Sequence, residues 1–167
     1  MSFEFNSRGD GCWARIAALI LAGLAGPITL SAQNMRQIPL PSSQNPSNAD
    51  IPFSGAVWAG NTLYVSGWLD PDRKAHGDTK SQTVGILEDL QKFLKAQNLT
   101  LGDVVMMREY VGRDSKADIL GARAGYSLFF GTKDNPNRPA STAIVTVLPA
   151  ADSGALMEID LVVVRPK

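Results

Sequence analysis

The chain has 167 residues, enough for one domain with a substantial hydrophobic core. Lys plus Arg and Asp plus Glu each number 16, so the charge balance shows neither the basic surface expected for nucleic-acid binding nor an acidic tail. The one cysteine, Cys12, lies within residues 1–32, which have the features of a cleaved signal peptide described below. The mature chain that remains after cleavage is therefore expected to have no disulfide, catalytic thiolate or cysteine-based zinc site.

Residues 1–32 have the layout of a secretory signal peptide. Arg8 and Arg15 precede the apolar residues 16–30, and the Ser-Ala pair at 31–32 supplies small residues suited to a signal peptidase. The apolar run is short for a transmembrane span and contains Pro27. We therefore predict an exported protein, periplasmic or secreted, with no stable membrane association after cleavage. An uncleaved membrane anchor or a misplaced start of the chain is the alternative.

The segment that follows the leader is polar. Residues 33–50 contain three prolines together with Ser, Asn and Gln, which predicts a flexible or extended linker. The folded domain is then expected to begin near Ile51 and to cover residues 51–167.

Within this domain, hydrophobic periodicity predicts five strands and two helices. In chain order these are strands at 53–59 and 62–67, a helix at 79–96, a strand at 104–111, a helix at about 116–130, and strands at 142–148 and 156–164. The last two strands are expected to form a pair joined by a turn. The order β-β-α-β-α-β-β predicts an α+β fold with a mixed sheet and both helices packed on one face.

The last strand places two carboxylates on a face that is otherwise apolar. Its period-two pattern separates Met157, Ile159, Leu161 and Val163 from a second face that carries Glu158 and Asp160, about 6–7 Å apart. Glu158 with a cationic partner such as Arg138 or Arg123 could hold or activate a water molecule. The alternative is a set of ordinary ion pairs on an exposed face or a subunit seam, and the residues alone favour it.

Three further side chains have both a structural and a functional interpretation. His76, the one histidine, lies in a loop rich in Gly, Asp and Lys, and we expect a solvated side chain rather than a general base or a metal ligand. Trp58 and Trp68 flank the first hairpin. Core packing is the default for such aromatic residues, and a ligand pocket or an oligomer interface is the alternative.

Several short motifs occur in an order and spacing that resemble one family. They are residues 52–57, 59–61 and 63–67 around the first hairpin, 103–105 after the first helix, Tyr126 with 129–130 in the second, 139–149, and Glu158-Ile159-Asp160. Over about residues 51–165 the chain resembles the Rid family, the YjgF/L-PSP-type reactive-intermediate deaminases.

The resemblance implies a chorismate-mutase-like fold, a homotrimer with three clefts between subunits, and a small-molecule substrate or ligand. The implied activity is hydrolysis of small enamines and imines to carbonyl compounds and ammonia, without a metal or an organic cofactor. Glu158 matches the last-strand glutamate that positions water. The implied substrate-binding residues are Phe53, where a tyrosine is common, Ser54, Gly67, Trp68, Arg123, where an asparagine is frequent, Tyr126, Ala140 and Ser141.

The chain departs from the family pattern at the arginine that binds the substrate carboxylate. The family reads Pro-Ala-Arg-Ser there, whereas residues 138–141 read Arg-Pro-Ala-Ser, which places Ala140 at the arginine position. Arg138 lies two residues earlier, displaced by about 6–7 Å in an extended chain.

Two functions follow as hypotheses. The first is a deaminase with altered substrate preference, in which Glu158 orients water and Arg138 or Arg123 supplies the cation. The second is a non-catalytic trimer that binds a small ligand in a pocket made more apolar by Phe53, Trp68 and Ala140. Ribonuclease activity, attributed to some relatives, gains no support from the balanced charge and the single loop histidine.

Overall fold

The computed structural model describes residues 35–45, 47–113, 117–148 and 153–167, so the signal peptide predicted at 1–32 lies outside the described residues. The described part forms six strands and two helices. In chain order they are β1 (Met35–Ile38), β2 (Ala56–Ala59), β3 (Thr62–Trp68), α1 (Thr79–Ala96), β4 (Val104–Gly112), α2 (Ile119–Tyr126), β5 (Ala140–Thr146) and β6 (Met157–Val164), with a 3-10 turn at Leu101–Asp103. Neither helix is long and apolar enough to cross a membrane, within the ranges described.

The strands form one mixed sheet in the order β1-β2-β3-β6-β4-β5. All neighbours are antiparallel except β4 and β5, which are parallel. The predicted α+β fold is therefore confirmed. The prediction that the last two strands pair with each other is wrong, because β4 lies between them: Tyr110 is opposite Glu158 on one side and Ile144 on the other. A period-two pattern fixes which face a side chain occupies, but it does not fix which strand lies alongside.

The segment predicted as a flexible linker contains the first strand. Residues of β1 pair with β2 in an antiparallel register that places Arg36 opposite Trp58. Further along, the Gln44 side chain donates to the Leu69 carbonyl at 2.8 Å and accepts from the Leu69 amide at 2.9 Å, while Ser43 Oγ donates to Asp89 at 2.8 Å. The polar composition of this segment gave no sign of the strand. An edge strand is held by backbone hydrogen bonds, and every residue type except proline can form them.

Both helices pack against the same face of the sheet, where the hydrophobic core lies. On β6 the predicted buried face is confirmed, since Met157, Ile159, Leu161 and Val163 are almost fully enclosed. Trp68 is also fully buried, with its ring centroid 4.8 Å from that of Phe93. Its indole N–H donates to the Asp89 carboxylate at 2.7 Å, which supplies the polar partner that a buried tryptophan requires. Trp68 therefore has the core-packing role.

The other face of the sheet is covered by no helix in the described part of the chain. We call it the open face. It presents Tyr64 of β3, Val162 of β6, Met106 of β4 and Ala140 of β5 in one cross-strand row. Tyr64, Ile144 and Val164 are exposed there although they are large and apolar. Tyr64 and Val164 lie diagonally across β3 and β6, whereas Ile144 lies on β5 in the same row as Glu158. A sheet face that no helix covers and that exposes large apolar side chains is a candidate surface for binding another molecule.

Candidate functional site

Glu158 lies on the open face, near the start of β6. The register shift in β3 between Val65 and Trp68 brings the Gly67 backbone directly beneath its carboxylate, and a β-carbon at residue 67 would collide with that group. The side chain is half-buried, and it makes no hydrogen bond or ion pair with any of the described residues. Burial, with a smaller contribution from the charge of Asp160, raises the pKa of Glu158 above the usual value for a glutamate.

Asp160, two residues further along the same face, is fully paired. Arg108 Nε lies 2.8 and 3.0 Å from its two carboxylate oxygens, and the Tyr110 hydroxyl donates to it at 2.9 Å. The hydrogen bond to Asp160 raises the pKa of Arg108, and burial together with the same carboxylate raises that of Tyr110. The ion-pair interpretation therefore applies to Asp160, whereas no cation among the described residues is paired with Glu158.

Arg108 and Tyr110 were not identified from the sequence. Both belong to β4, where alternation with the buried Met107 and Val111 places them on the open face. The alternation is visible in the sequence, but their role depends on β4 lying next to β6, with Arg108 opposite Asp160. That adjacency is a tertiary feature, for which local periodicity has no signal.

Of the residues predicted near the first hairpin, Gly67 lies directly beneath Glu158, and Ser54 lies against the same strand. Ser66 Oγ donates to the Ser54 carbonyl at 2.7 Å, and its backbone N–H donates to the Gly55 carbonyl at 2.9 Å, so residues 54–55 lie against the strand that carries Gly67. Phe53, the residue before Ser54, is exposed. We call Phe53, Ser54, Gly67 and Glu158 the glutamate group.

The remaining predicted residues lie elsewhere in the chain. Arg138, Ser141 and Tyr126 line a cavity of about 220 Å³ together with Met107, Ser127, Phe130 and Pro139. The Arg138 guanidinium lies against Gly131, whose φ of +69° suits glycine; a β-carbon there would be 2.9 Å from Arg138 Cζ. Ala140 is exposed at the first position of β5, and Arg123 is exposed on α2. We call Arg123, Tyr126, Arg138, Ala140 and Ser141 the arginine group.

One chain does not bring the two groups together. Ala140 lies four residues before Ile144, which shares a cross-strand row with Glu158 two strands away. At about 3.3 Å per residue and 4.8 Å per strand, the two α-carbons are roughly 16 Å apart. Arg138 lines a cavity with Met107 and Ser141, which lie on the helix-bearing side of the sheet. Neither Arg138 nor Arg123 is therefore paired with Glu158 of its own chain.

A second carboxylate, missed by sequence reasoning, lies behind the arginine group. Glu109 of β4 is 2% exposed and faces the helices, and Ser141 Oγ donates to its Oε1 at 2.7 Å. Burial raises the pKa of Glu109, against smaller opposing effects of the Ser141 hydrogen bond and the positive charge of Arg123. A charged residue between Met107 and Val111 on one strand face is the sequence signal for it, but sequence alone could not tell whether that face is buried.

Glu109→Gln is expected to make the protein more stable than wild type at pH 7–8, with the difference shrinking as the pH falls. The pKa of Glu109 in the folded protein is raised above its reference value of 4.5. The protonated side chain therefore contributes to the free energy of unfolding below pH 4.5, and this contribution is lost as the pH rises through the folded-state pKa. Glutamine still accepts from Ser141 and has no charge to desolvate. Thermal unfolding from pH 4 to 8 measures the effect, and Glu88→Gln on the exposed side of α1 controls for the lost charge. Parallel pH profiles for wild type and Glu109→Gln would contradict it.

His76 is more than a solvated loop residue. Its Nδ1 lies 2.5 Å from Oδ2 of Asp70, which is 1% exposed. That hydrogen bond and the Asp70 charge raise the pKa of His76. Among the described residues, no group of three or more His, Cys, Asp or Glu side chains is arranged to hold a metal ion.

The mixed sheet with both helices on one face matches the fold of YjgF-type α+β proteins. The structure aligns with the crystal structure of the YjgF gene product from E. coli with a TM-score of 0.61 and 26% sequence identity, covering 78% of this chain and 99% of the other. A YjgF family protein from Neisseria meningitidis aligns with a TM-score of 0.63 at 16% identity, covering 81% of this chain and 98% of that one.

The sequence comparisons show the family. The model for Endoribonuclease L-PSP matches residues 43–165. A RutC family protein of Pyrococcus horikoshii is 32% identical over 116 residues, covering 66% of this chain and 85% of the relative. Another, from Sulfurisphaera tokodaii, is 41% identical over 59 residues, but this match spans only 33% of the chain and 47% of the relative. The protein belongs to the YjgF/L-PSP family, which includes the Rid-type proteins.

Proposed function

We propose that the protein is a hydrolase that converts small reactive enamines and imines to carbonyl compounds and ammonia. Membership of the YjgF/L-PSP family supports the class. The observation that carries the proposal is Glu158: a half-buried carboxylate without a partner in the described chain, held over Gly67, with a pKa raised by burial. A carboxylate whose pKa is raised toward neutrality is suited to exchange protons with water.

Glu158 would act first as a general base and then as a general acid. It accepts a proton from a water molecule as the water oxygen bonds to the imine carbon, while the C=N nitrogen takes up a proton from solvent. When the carbonyl bond of the resulting carbinolamine forms, Glu158 returns its proton to the leaving nitrogen, ammonia departs, and the hydroxyl proton passes to solvent. The sum is one imine and one water giving one carbonyl compound and one ammonia. An enamine enters the same sequence as its imine tautomer.

The separation of the two residue groups supports a site shared between subunits. We propose a homotrimer in which the glutamate group of one subunit faces the arginine group of the next, so that Arg138 of the partner subunit approaches Glu158. The exposed Tyr64, Ile144 and Val164 on the open face support burial of this surface on assembly. Light scattering on the eluted protein should give three times the subunit mass, and a monomer mass would contradict the shared site.

Glu158→Gln is expected to lower ammonia release from freshly generated imino acids by at least about 100-fold, because general acid–base catalysis contributes about 10²–10⁴-fold. Glutamine keeps the shape of the side chain, so the trimer and the unfolding temperature should be retained. Glu88→Gln, on the exposed side of α1, is the matched control. Undiminished ammonia release by Glu158→Gln would remove Glu158 from the mechanism.

A non-catalytic binding role is the second candidate, and one observation favours it. Ala140 offers no cation at the start of β5, and the Arg138 guanidinium is held against Gly131. A substrate carboxylate would then have no bidentate partner. Ala140→Arg separates the two functions. Ammonia release by the variant but not by wild type supports a binding protein, whereas release by wild type supports the hydrolase.

The family name suggests endoribonuclease activity, for which this chain offers little support. Its charge is balanced, and its one histidine is hydrogen-bonded to Asp70.

We also propose that the protein acts after export, on the basis of the signal peptide predicted at residues 1–32. Cell fractionation with N-terminal sequencing of the mature protein would test this.

A further inference from the structure

A cleft beside the C-terminal end of α1 places two arginines around one tryptophan. The cleft measures about 450 Å³ and is lined by Arg36, Trp58, Gly60, Ala96, Gln97, Asn98 and Arg165. We call it the Arg36–Arg165 cleft. Arg36 is the cross-strand partner of Trp58, and the Arg165 guanidinium carbon lies 4.2 Å from the centre of the Trp58 ring. No carboxylate side chain is among its lining residues.

The cleft has more hydrogen-bond donors than acceptors. Neither arginine forms an ion pair with a carboxylate in the described ranges. Arg36 Nη2 donates to Gln97 Oε1 at 3.3 Å, which uses the oxygen of that amide and leaves its NH₂ group. The Arg165 guanidinium carbon lies over the Trp58 ring, and this cation–π contact uses none of the guanidinium N–H groups as a donor to another polar group.

Trp58, over which Arg165 lies, has an unpaired donor of its own. Its indole nitrogen is buried and has no hydrogen-bond partner in the described part of the chain, although the residue is only 4% exposed. Buried polar groups in native proteins are nearly always paired, so an unpaired one requires an explanation. This nitrogen is enclosed, so the donors at the cleft surface are those of the two guanidinium groups and the Gln97 amide, and a ligand with several acceptor oxygens would supply partners for them.

A competing explanation for the position of the two arginines is that they cap the C-terminus of α1. Capping balances only part of their positive charge. The carbonyls of Leu94 and Lys95 already accept from the backbone N–H groups of Gln97, Asn98 and Leu99. The C-terminus of a helix carries the equivalent of about half a negative charge. Two guanidinium groups therefore leave the cleft with a net positive charge of more than one unit.

We propose that the Arg36–Arg165 cleft binds a phosphate group, either as free phosphate or as the phosphate of a small phosphomonoester. Two guanidinium groups match the charge and the acceptor oxygens of a dianion, whereas one guanidinium would suffice for a carboxylate. The volume leaves room for a few carbon atoms beyond the phosphate. Trp58 belongs to the core on the helix-bearing side of the sheet, whereas Glu158 lies on the open face, so this site is separate from the proposed hydrolytic one.

Titration with inorganic phosphate at constant ionic strength tests the proposal, with binding measured by calorimetry and by tryptophan fluorescence. Wild type should bind one phosphate per subunit, and acetate should bind at least about tenfold more weakly. Arg36→Gln and Arg165→Gln should each weaken phosphate binding by about tenfold or more, because each removes a charge-assisted hydrogen bond to a phosphate oxygen. Arg113→Gln, at an exposed arginine outside the cleft, should leave the affinity unchanged.

Glycerol phosphate distinguishes the two sources of the group. Tighter binding than inorganic phosphate shows that the cleft also contacts the organic part, and equal binding shows recognition of the phosphate alone. Absence of saturable phosphate binding by wild type at millimolar concentrations overturns the proposal. So does equal affinity in wild type and Arg36→Gln, or a loss of thermal stability in the arginine variants without any change in phosphate binding. Arg165→Lys keeps the charge, and provides a folded variant if Arg165→Gln is unstable.

Discussion

Replacing Gln82 with alanine is expected to lower the free energy of unfolding by about 3–5 kcal/mol, because several buried hydrogen bonds are lost at once. Gln82 is fully buried in the second turn of α1. Its amide NH₂ donates to the carbonyls of His76 and Gly154, each at 2.8 Å, and of Arg73 at 3.1 Å. Its carbonyl oxygen accepts from the Leu156 backbone N–H at 2.8 Å. One side chain thus joins α1, the loop after β3 and the segment before β6.

The same substitution should affect the candidate site, since Leu156 lies two residues before Glu158. Chemical denaturation measures the loss of stability, and Gln91→Ala, at an exposed glutamine of α1, is the matched control. Gln82→Glu keeps the size and one acceptor but points a carboxylate at three carbonyls, so it should be at least as destabilising at pH 7 and less so in acid. A loss for Gln82→Ala within about 0.5 kcal/mol of that for Gln91→Ala would show that these hydrogen bonds contribute little.

The elements with strong local signals were predicted well. The predicted helix at 79–96 coincides with α1, because an amphipathic stripe fixes its body and the Asp78 side chain caps its N-terminus. The buried face of β6 follows from strict alternation. The second helix was predicted at 116–130 but covers Ile119–Tyr126, since Ser127 ends it and residues 127–130 continue as turns. Periodicity cannot separate a short helix from the turns that prolong its apolar stripe.

The features that local pattern could not predict are those set by strand neighbours. β1 was missed because backbone pairing holds it at the edge of the sheet. The pairing of Asp160 with Arg108 depends on β4 being inserted between β5 and β6. The position of Arg138 depends on Gly131, seven residues earlier, which leaves space for the guanidinium. Each of these contacts joins segments that are distant in sequence or involves a loop. The periodicity of side chains along one strand or helix carries no information about such contacts.

Gly125→Ala is expected to destabilise the protein by about 1–3 kcal/mol, the usual cost of overpacking a core. Gly125 is buried where α2 crosses α1, and a β-carbon there would lie 2.7 Å from Cβ of Thr83 and 3.0 Å from the Lys80 carbonyl oxygen. Backbone cannot yield as a flexible side chain can, so α2 must move away from α1. That loss exceeds the helix-propensity gain of about 1 kcal/mol for alanine. Because Tyr126 is the next residue, the shift should also change the cavity that contains Arg138.

Gly121→Ala, one turn earlier on the same helix, makes the argument specific to packing. A β-carbon there would lie 3.4 Å from the Lys80 backbone nitrogen and from Cβ of Thr79, an ordinary contact distance. Its helix-propensity gain should therefore remain, leaving the variant as stable as wild type or up to about 1 kcal/mol more stable. If denaturant melts show that Gly125→Ala lowers the free energy of unfolding while Gly121→Ala raises it, the close approach of α2 to α1 requires glycine at 125. Equal effects at both positions would show instead that α2 tolerates displacement, and the cavity lined by Arg138 would then be free to change shape when a ligand binds.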